Sequence, residues 1–191
     1  TNPNIVINDT GQSKDYFIVA QGSQLAFNYA DGGGSSSASN VTQLMSMDNS
    51  GAITKPNQPA FLVTKTTIRV DKPNSGEETI AFETEVFDQN ADFASNTFTA
   101  PVTGKYQLNA TIRLDEVDTA ASYVRIRINT SNRIYVNIID PNFSADLSYL
   151  TLNLSVLADM DASDTAIVEV GQSGGSAQMD LPGNAQYQQF S

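Results

Sequence analysis

The feature that most constrains the fold is a strict alternation of apolar and polar residues in the second half of the chain. Between Lys105 and Leu114 every second side chain is apolar, which is the pattern of a strand with one buried face. The same pattern recurs in segments 124–128, 134–138, 150–156 and 166–170. Turn-rich pieces separate these segments. From about residue 59 onward the sequence therefore predicts an antiparallel β-sandwich.

The composition narrows the chemistry that the chain can perform. Its 191 residues include no Cys, His or Trp, which removes disulfides, Cys or His nucleophile systems and the usual zinc sites. The net charge of −11 opposes binding to nucleic acid or anionic lipid by charge alone. No apolar run is long enough to span a membrane. We therefore expect neither a nucleic-acid partner nor insertion into a membrane.

The first fifty residues differ in character from the rest. They contain four short strand candidates, NIVI, DYFIVA, QLAFNY and TQLMSM, each too weakly patterned to bury a core of its own. We predict that residues 1–50 form a β-rich shaft or attachment segment that copies of the chain complete around a symmetry axis. The alternative is an N-terminal extension that packs on the sandwich. The tract from Gly32 to Ser39 is predicted to be an exposed loop, or else a linker.

Residues 51–58 are predicted to form a Gly/Pro joint between this segment and a head formed by residues 59–191. Pro56 and Pro59 lie three residues apart, and each proline fixes φ, lacks an N–H and restrains the residue before it to an extended geometry. Gly51 permits the backbone to reverse. The joint would therefore stiffen the exit from the first segment.

An ordered set of aromatic, acidic and glycine residues follows PAF (59–61), in FETEVFDQNADFASNTFTAPVTGKYQL (82–108). Its members are Phe82, Asp88, Phe93, Phe98, Gly104 and Tyr106. The set resembles the signature of the C1q domain, a trimeric jelly roll also called C1q/tumour-necrosis-factor-like. Leu108 and Ala110 depart from it, since the family has aromatic residues there. The resemblance implies an all-β, C1q/TNF-like jelly-roll sandwich whose core holds the aromatic members of the set.

The polar faces of two predicted strands carry aromatic and arginine side chains, which often mark interfaces. Tyr123, Arg125 and Arg127 lie on one strand, and Arg133 and Tyr135 lie on the next. Because the resemblance implies a homotrimer, we predict that Tyr123, Arg125, Arg127 and Tyr135 form the trimer interface. Ordinary solvated surface is the alternative.

The segments NDTGQSKDYFIVAQGSQLAFNY and LMSMDNSGAITKPNQPAF resemble tail-fibre and receptor-binding proteins of bacteriophages. In those proteins a trimeric β-shaft leads through a D-x-S-G-x-I-T-x-P link to a head. The link residues here are Asp48, Ser50, Gly51, Ile53, Thr54 and Pro56.

This second resemblance implies a homotrimeric virion fibre or spike protein, extracellular on the virion, whose head binds a host surface glycan or protein. Its other partners would be virion fibre or tail proteins. The alternatives are a purely structural trimerisation component of a virion and a secreted cellular C1q-like adhesion protein.

Two predicted loops are candidates for receptor binding by their position and composition. Segment 140–146 presents Phe143 between Asn142 and Ser144. Segment 171–183 has Gly-rich turns and includes Gln172 and Ser173. We predict that these five residues contact the receptor.

Carboxylates supply the remaining candidate chemistry. Asp159, Asp161 and Asp164 in DMDASD are candidate calcium ligands, because Ca²⁺ prefers several oxygen ligands and C1q-like trimers often carry calcium near their axis. The EF-hand glycine and closing glutamate are absent, and Asp and Ser also recur in ordinary turns. Acidic groups at 77–78, 83–85 and 115–118 are candidates for a glycosidase pair, which a solvated strand edge explains equally well. We expect a protein that is not an enzyme.

Overall fold

The computed structural model describes residues 4–7, 14–31 and 41–191, and all of its regular elements are β-strands. These described residues contain no helix, and therefore no helix of the length and apolarity that crossing a membrane requires. The chain divides into two compact units, residues 1–58 and 59–191. The predicted all-β fold class is confirmed.

The first unit is a single antiparallel sheet whose strands follow one another in chain order. Its strands are β1 (Asn4–Ile7), β2 (Lys14–Gln21), β3 (Gln24–Asp31), β4 (Val41–Asp48) and β5 (Ile53–Thr54). The strand β5 lies inside the predicted joint and pairs Ile53 with Met47. A bulge between Phe27 and Asn28 leaves Leu44 as the extra residue of β4. The predicted loop from Gly32 to Ser39 lies outside the described residues.

A tight turn built around Asp48 joins β4 to β5. The Asp48 carboxylate accepts hydrogen bonds from the Ser50 hydroxyl (2.6 Å) and from the backbone N–H groups of Ala52 (2.9 Å) and Ser50 (2.8 Å). These donors lower the pKa of Asp48. Gly51 has φ +86°, a conformation that favours glycine. The Asp, Ser and Gly of the link sequence thus have a local role in shaping this turn.

The second unit is a sandwich of two antiparallel sheets. Its strands are β6 (Ala60–Thr64), β7 (Glu77–Thr79), β8 (Thr84–Gln89), β9 (Phe93–Ala94), β10 (Thr97–Thr99), β11 (Gly104–Val117), β12 (Ala121–Thr130), β13 (Ile134–Ile139), β14 (Leu147–Met160), β15 (Thr165–Gly174) and β16 (Gln188–Phe190). Sheet A has the order β14-β11-β16-β6-β8. Sheet B has the order β13-β12-β15-β10-β9, with β7 paired to β15.

The core of the second unit lies between the two sheets, because alternate residues of both sheets point inward. In sheet A, β11 buries Leu108, Ala110, Ile112 and Leu114. In sheet B, β12 and β15 bury Val124, Ile126, Ile128, Ala166, Val168 and Val170. The segments predicted from the alternation thus supply the two central walls of the core.

Phenylalanine rings fill the space that these aliphatic side chains leave. The Phe61 ring stacks on Phe93 and Phe98, with centroids 5.2 and 5.0 Å apart, and meets the Phe190 ring edge-on at 5.0 Å. Burying each such ring stabilises the fold by about 1.5–3 kcal/mol. The predicted core positions Phe82, Phe93 and Phe98 are buried. Tyr106 is half-buried and packs on the same core.

Candidate recognition surfaces

The outward face of sheet B carries a network of ion pairs. One cross-strand row joins Arg125 on β12, Gly171 on β15 and Glu77 on β7. The Glu77 carboxylate reaches across Gly171 and accepts a hydrogen bond from Arg125 Nε at 2.9 Å, and its second oxygen lies 3.5 Å from Arg127 Nε. Arg127 Nη2 also donates to Glu169 at 2.8 Å. A Cβ at position 171 would overlap the Glu77 carboxylate, so only glycine leaves this path open.

This network accounts for three of the four residues predicted at a trimer interface. Arg125 and Arg127 donate hydrogen bonds to carboxylates of their own chain, and the Arg125 guanidinium lies 4.8 Å from the centroid of the Tyr123 ring. The placement of Tyr135 on a polar face is wrong, because its side chain is half-buried and packs against the core. A role of the other three in trimer contact stays a prediction.

The edge strand β13 has the opposite facing to the one that its sequence suggests. Ile134, Val136 and Ile138 point outward and are 51%, 44% and 53% exposed, whereas Tyr135 points toward the core. The core-facing positions of an edge strand are only partly buried. A tyrosine is tolerated there, because its ring can pack on the core while its hydroxyl reaches water. The result is a short apolar row on the outside of sheet B.

The outward face of sheet A combines exposed aromatic and aliphatic side chains with neutral polar ones. Tyr149 and Leu157 on β14 are 70% and 64% exposed. Between them, the Thr111 hydroxyl donates to the Asn153 side chain at 2.9 Å. Phe87 on β8 adds an aromatic ring that is 50% exposed. Interface centres avoid charge, and the middle of this face carries neutral polar side chains between exposed apolar and aromatic ones.

One end of this face holds an arginine between two tyrosine rings. The Arg113 guanidinium lies 4.5 Å from the centroid of the Tyr149 ring and 4.7 Å from that of Tyr187. Its Nε and Nη2 donate to the two carboxylate oxygens of Asp115, each at 2.6 Å. The pair is electrically neutral, so the face gains ordered aromatic surface without net charge. Nothing in the local sequence marks this cluster, because its members come from separate segments.

The structure places one predicted receptor-binding loop at the surface. Asn142, Phe143 and Ser144 are exposed, with Phe143 45% exposed. The Asp146 carboxylate accepts the Thr119 backbone N–H at 2.9 Å, which ties down the end of the loop and lowers the pKa of Asp146. Contact of these residues with a receptor stays a prediction.

The second predicted loop is partly strand, and the structure corrects one of its residues. The strand β15 continues to Gly174, and Gln172 is fully buried within it. The Gln172 amide donates to the carbonyls of Gly174 and Ser176, both at 2.9 Å. The prediction that Gln172 faces a receptor is therefore wrong, whereas Ser173 remains partly exposed.

The three predicted calcium ligands do not converge. Asp159 accepts a hydrogen bond from Arg133 at 2.7 Å. Asp164 accepts from Asn132 at 2.9 Å and from the Asp161 backbone N–H at 2.8 Å, as a turn-capping carboxylate does. Across the described ranges, no three acidic side chains are placed to hold a metal ion. Calcium binding here stays a prediction without a preformed ligand set.

Five of the acidic residues that suggested a glycosidase pair accept hydrogen bonds within the fold: Glu77, Glu78, Glu83, Asp115 and Asp118. Glu83 accepts hydrogen bonds from Lys65 Nζ (3.0 Å) and the Thr66 backbone N–H (2.8 Å), and also from the Thr67 hydroxyl. Burial raises the pKa of Glu83, but these hydrogen bonds outweigh it and bring the pKa down to about 2. An ionised carboxylate that accepts several hydrogen bonds from the segment after β6 holds that segment in place.

Two lysines in the segment between β6 and β7 are buried, although their sequence context is polar. Lys65 is 4% exposed and pairs with Glu83, while Lys72 is 1% exposed. Lys72 Nζ donates to the carbonyls of Pro73 (2.9 Å) and Gly76 (3.1 Å), and burial lowers its pKa. A lysine in a polar stretch resembles a surface residue, so nothing in the local sequence marks either one as buried.

Comparison with known proteins supports the fold alone. No family model and no curated relative matches the sequence. Among solved structures, murine APRIL is 10% identical with a TM-score of 0.50, covering 69% of this chain and 94% of that chain. The globular domain of zebrafish complement 1qA protein is 15% identical with a TM-score of 0.45, covering 70% and 94%.

A third match is an exo-β-1,3-galactanase from Phanerochaete chrysosporium, 6% identical with a TM-score of 0.27, covering 97% of this chain and 55% of that chain. The predicted C1q/TNF-like jelly-roll fold is confirmed by the sandwich topology together with the likeness to APRIL.

Proposed function

We propose that this chain is a homotrimeric recognition protein, and specifically a bacteriophage tail-fibre or receptor-binding protein whose head, residues 59–191, binds a host surface glycan or protein. The observation that carries the proposal is the outward face of sheet A, where Tyr149 and Leu157 are 70% and 64% exposed. A jelly roll of this kind has already buried its own core, so these side chains serve contact with another molecule. The resemblance of the link and the preceding segment to phage fibres supplies the biological setting.

The same face is the proposed contact between the three heads. At its centre the Thr111 hydroxyl donates to the Asn153 side chain, so covering this part of the face buries a hydroxyl that already has a partner. Its Arg113–Asp115 pair is internally neutral. Covering this face therefore gains apolar burial without the cost of burying a lone charge.

Recognition is assigned to loop 140–146, where Phe143 is exposed among polar residues. Three identical loops on one trimer raise the avidity for a surface that displays many copies of the ligand. The role is binding rather than catalysis, and two observations support this. Glu83 is held by Lys65, and Asp115 is held by Arg113, so neither carboxylate is available as a general acid.

The assembly is tested by light scattering coupled to size exclusion and by thiol labelling. The full chain should have the mass of three 20.5 kDa chains. Because the chain has no cysteine, a single introduced thiol reports on one position. Leu157→Cys should react with maleimide several-fold more slowly than Val102→Cys, whose side chain is 59% exposed on a turn outside sheet A. A monomeric mass, or equal labelling rates, would contradict the trimer.

Recognition is tested by binding of the fluorescently labelled protein to a panel of bacterial cells. Phe143→Ala should abolish binding while the mass in solution stays unchanged. The control is Val86→Ala, which removes a side chain of similar exposure from β8 and should leave cell binding intact. Binding that survives Phe143→Ala would remove loop 140–146 from the proposal. A trimer that binds no cell would favour a purely structural component of a virion.

A further inference from the structure

The first unit has one face that is apolar in every row. The register places twelve residues on it in three cross-strand rows. They are Ile7, Tyr16, Tyr29 and Thr42, then Ile5, Ile18, Phe27 and Met45, then Ala20, Leu25, Met47 and Ile53. We call these twelve positions the N-terminal apolar face. None of them is charged, although the chain as a whole has a net charge of −11.

This face is exposed, whereas the opposite face of the same sheet is buried at its centre. Ile5 is 62% exposed and Ile53 61%, at the two outer strands of the sheet. On the opposite face, Phe17, Val19 and Ala30 are at most 4% exposed and form a small core cluster with Val41. A sheet with a buried inner face normally presents a polar outer face to water. The composition of the outer face here is that of a second buried layer.

A cavity of about 360 Å³ opens on this face beside the bulge in β3 and β4. Ile7, Tyr16, Ile18, Phe27 and Leu44 give it apolar walls, and Phe17 and Asn28 complete the lining. Asn28 pairs with Phe17 and lies on the opposite face of the sheet, so Ile7, Tyr16, Ile18 and Phe27 are the residues that open the cavity on the N-terminal apolar face.

The exposed apolar area of the N-terminal apolar face matches the area that one partner buries in a stable complex. Six of its side chains are 37–62% exposed, and with the partly exposed ones the face presents on the order of 600 Å² of apolar surface. A stable complex buries roughly 600–1,000 Å² on each partner. Sheet faces pack on one another about 10 Å apart when both are apolar.

We infer that the N-terminal apolar face is an interface between copies of this chain, in which the faces of neighbouring copies cover one another. A second copy fits because its matching surface is equally apolar and uncharged, so two strongly negative chains meet there without like charges in contact. This interface is separate from sheet A of the head and deepens the proposed homotrimer.

Two adjacent residues of β5 test the inference on the full chain. Ile53 lies on the N-terminal apolar face and Thr54 on the opposite one, and both are exposed in the single chain. Ile53→Cys should react with maleimide several-fold more slowly than Thr54→Cys in the native protein, with equal rates in denaturant. Equal native rates would overturn the inference. Because Ile53 is already exposed, its replacement leaves folding intact.

A second measurement separates this interface from the head interface. In a chain that carries Leu157→Lys, the mass should still exceed one 20.5 kDa chain. Adding Ile5→Lys and Ile53→Lys should reduce it to one chain, whereas the control pair Val6→Lys and Thr54→Lys, on neighbouring positions of the opposite face, should not.

The Leu157→Lys chain also shows whether residues of the same chain cover the N-terminal apolar face. If Leu157→Lys gives a monomer, and a thiol introduced by Ile53→Cys in that monomer is still protected from maleimide, the chain covers its own face and the inference fails. If the heads do not associate at all, Leu157→Lys leaves the mass in solution unchanged. The comparison of the two lysine pairs then still tests the interface of the first unit.

Discussion

The two units of this chain use the same period-two alternation but complete it differently. In the second unit two sheets face each other, so the inward side chains of β11 and β12 bury one another. In the first unit a single sheet has apolar residues on both faces, and one of these faces is exposed. A sheet needs a second layer to be stable, and that layer comes either from the same chain or from another copy. The contrast shows that alternation predicts strands, whereas stability depends on what covers each face.

The largest expected effect comes from removing one ring from each unit. Phe98 and Phe17 are both 1% exposed, but Phe98 packs within the large core and Phe17 within a cluster of four residues. We expect Phe98→Ala to destabilise the second unit by about 3–5 kcal/mol and Phe17→Ala to cost the first unit less. Hydrogen exchange measured by mass spectrometry resolves the two units. A larger loss at Phe17 would show that copies of the chain, rather than the local cluster, hold the first unit together.

A smaller loss of stability is expected from Gly171→Ala, and it should affect the second unit but not the first. The new Cβ would displace the Glu77 carboxylate from Arg125 and Arg127, at a cost of about 2 kcal/mol. Gly104→Ala is the matched control, because its Cβ would meet only Tyr106 at an ordinary 3.7 Å. Urea unfolding followed by circular dichroism measures both. Equal midpoints for the two variants would mean that the network adds no stability.

The smallest expected effect is a pH dependence that belongs to the second unit. The pKa of Glu83 is about 2 in the folded chain against an ordinary 4.5, so its contribution is present above pH 4.5 and is lost as the pH falls from 4.5 toward 2. Since the side chain is 31% exposed, we discount the contribution to about 1 kcal/mol. Glu83→Gln should therefore be less stable than the wild type at pH 7, and the two should converge near pH 2. A constant difference across this range would assign the effect to packing instead of charge.

The sequence predicted the strands better than it predicted which residues form the surfaces. The alternating segments of β11 and β14 follow from periodicity, and the burial of Phe82, Phe93 and Phe98 follows from the resemblance to the C1q signature. The facing of β13 does not, because alternation defines two faces without saying which is covered, and at this edge Tyr135 takes the inner side. The sequence GQSGG predicts a loop at Gln172 because it is rich in glycine, whereas the structure buries this side chain and two backbone carbonyls accept hydrogen bonds from its NH2 group. Contacts between distant segments, such as Arg113 with Tyr187, leave no mark in the local sequence.

The contact of Glu77 across Gly171 also affects which edge of sheet B can pair with a strand from another chain. It fixes the three-residue strand β7 along β15, and a short strand bearing acidic side chains is a poor template for an incoming strand. The other edge of the sheet has no such protection, since β13 presents Ile134, Val136 and Ile138 to solvent. Edge-to-edge aggregation of partly assembled chains should therefore begin at β13.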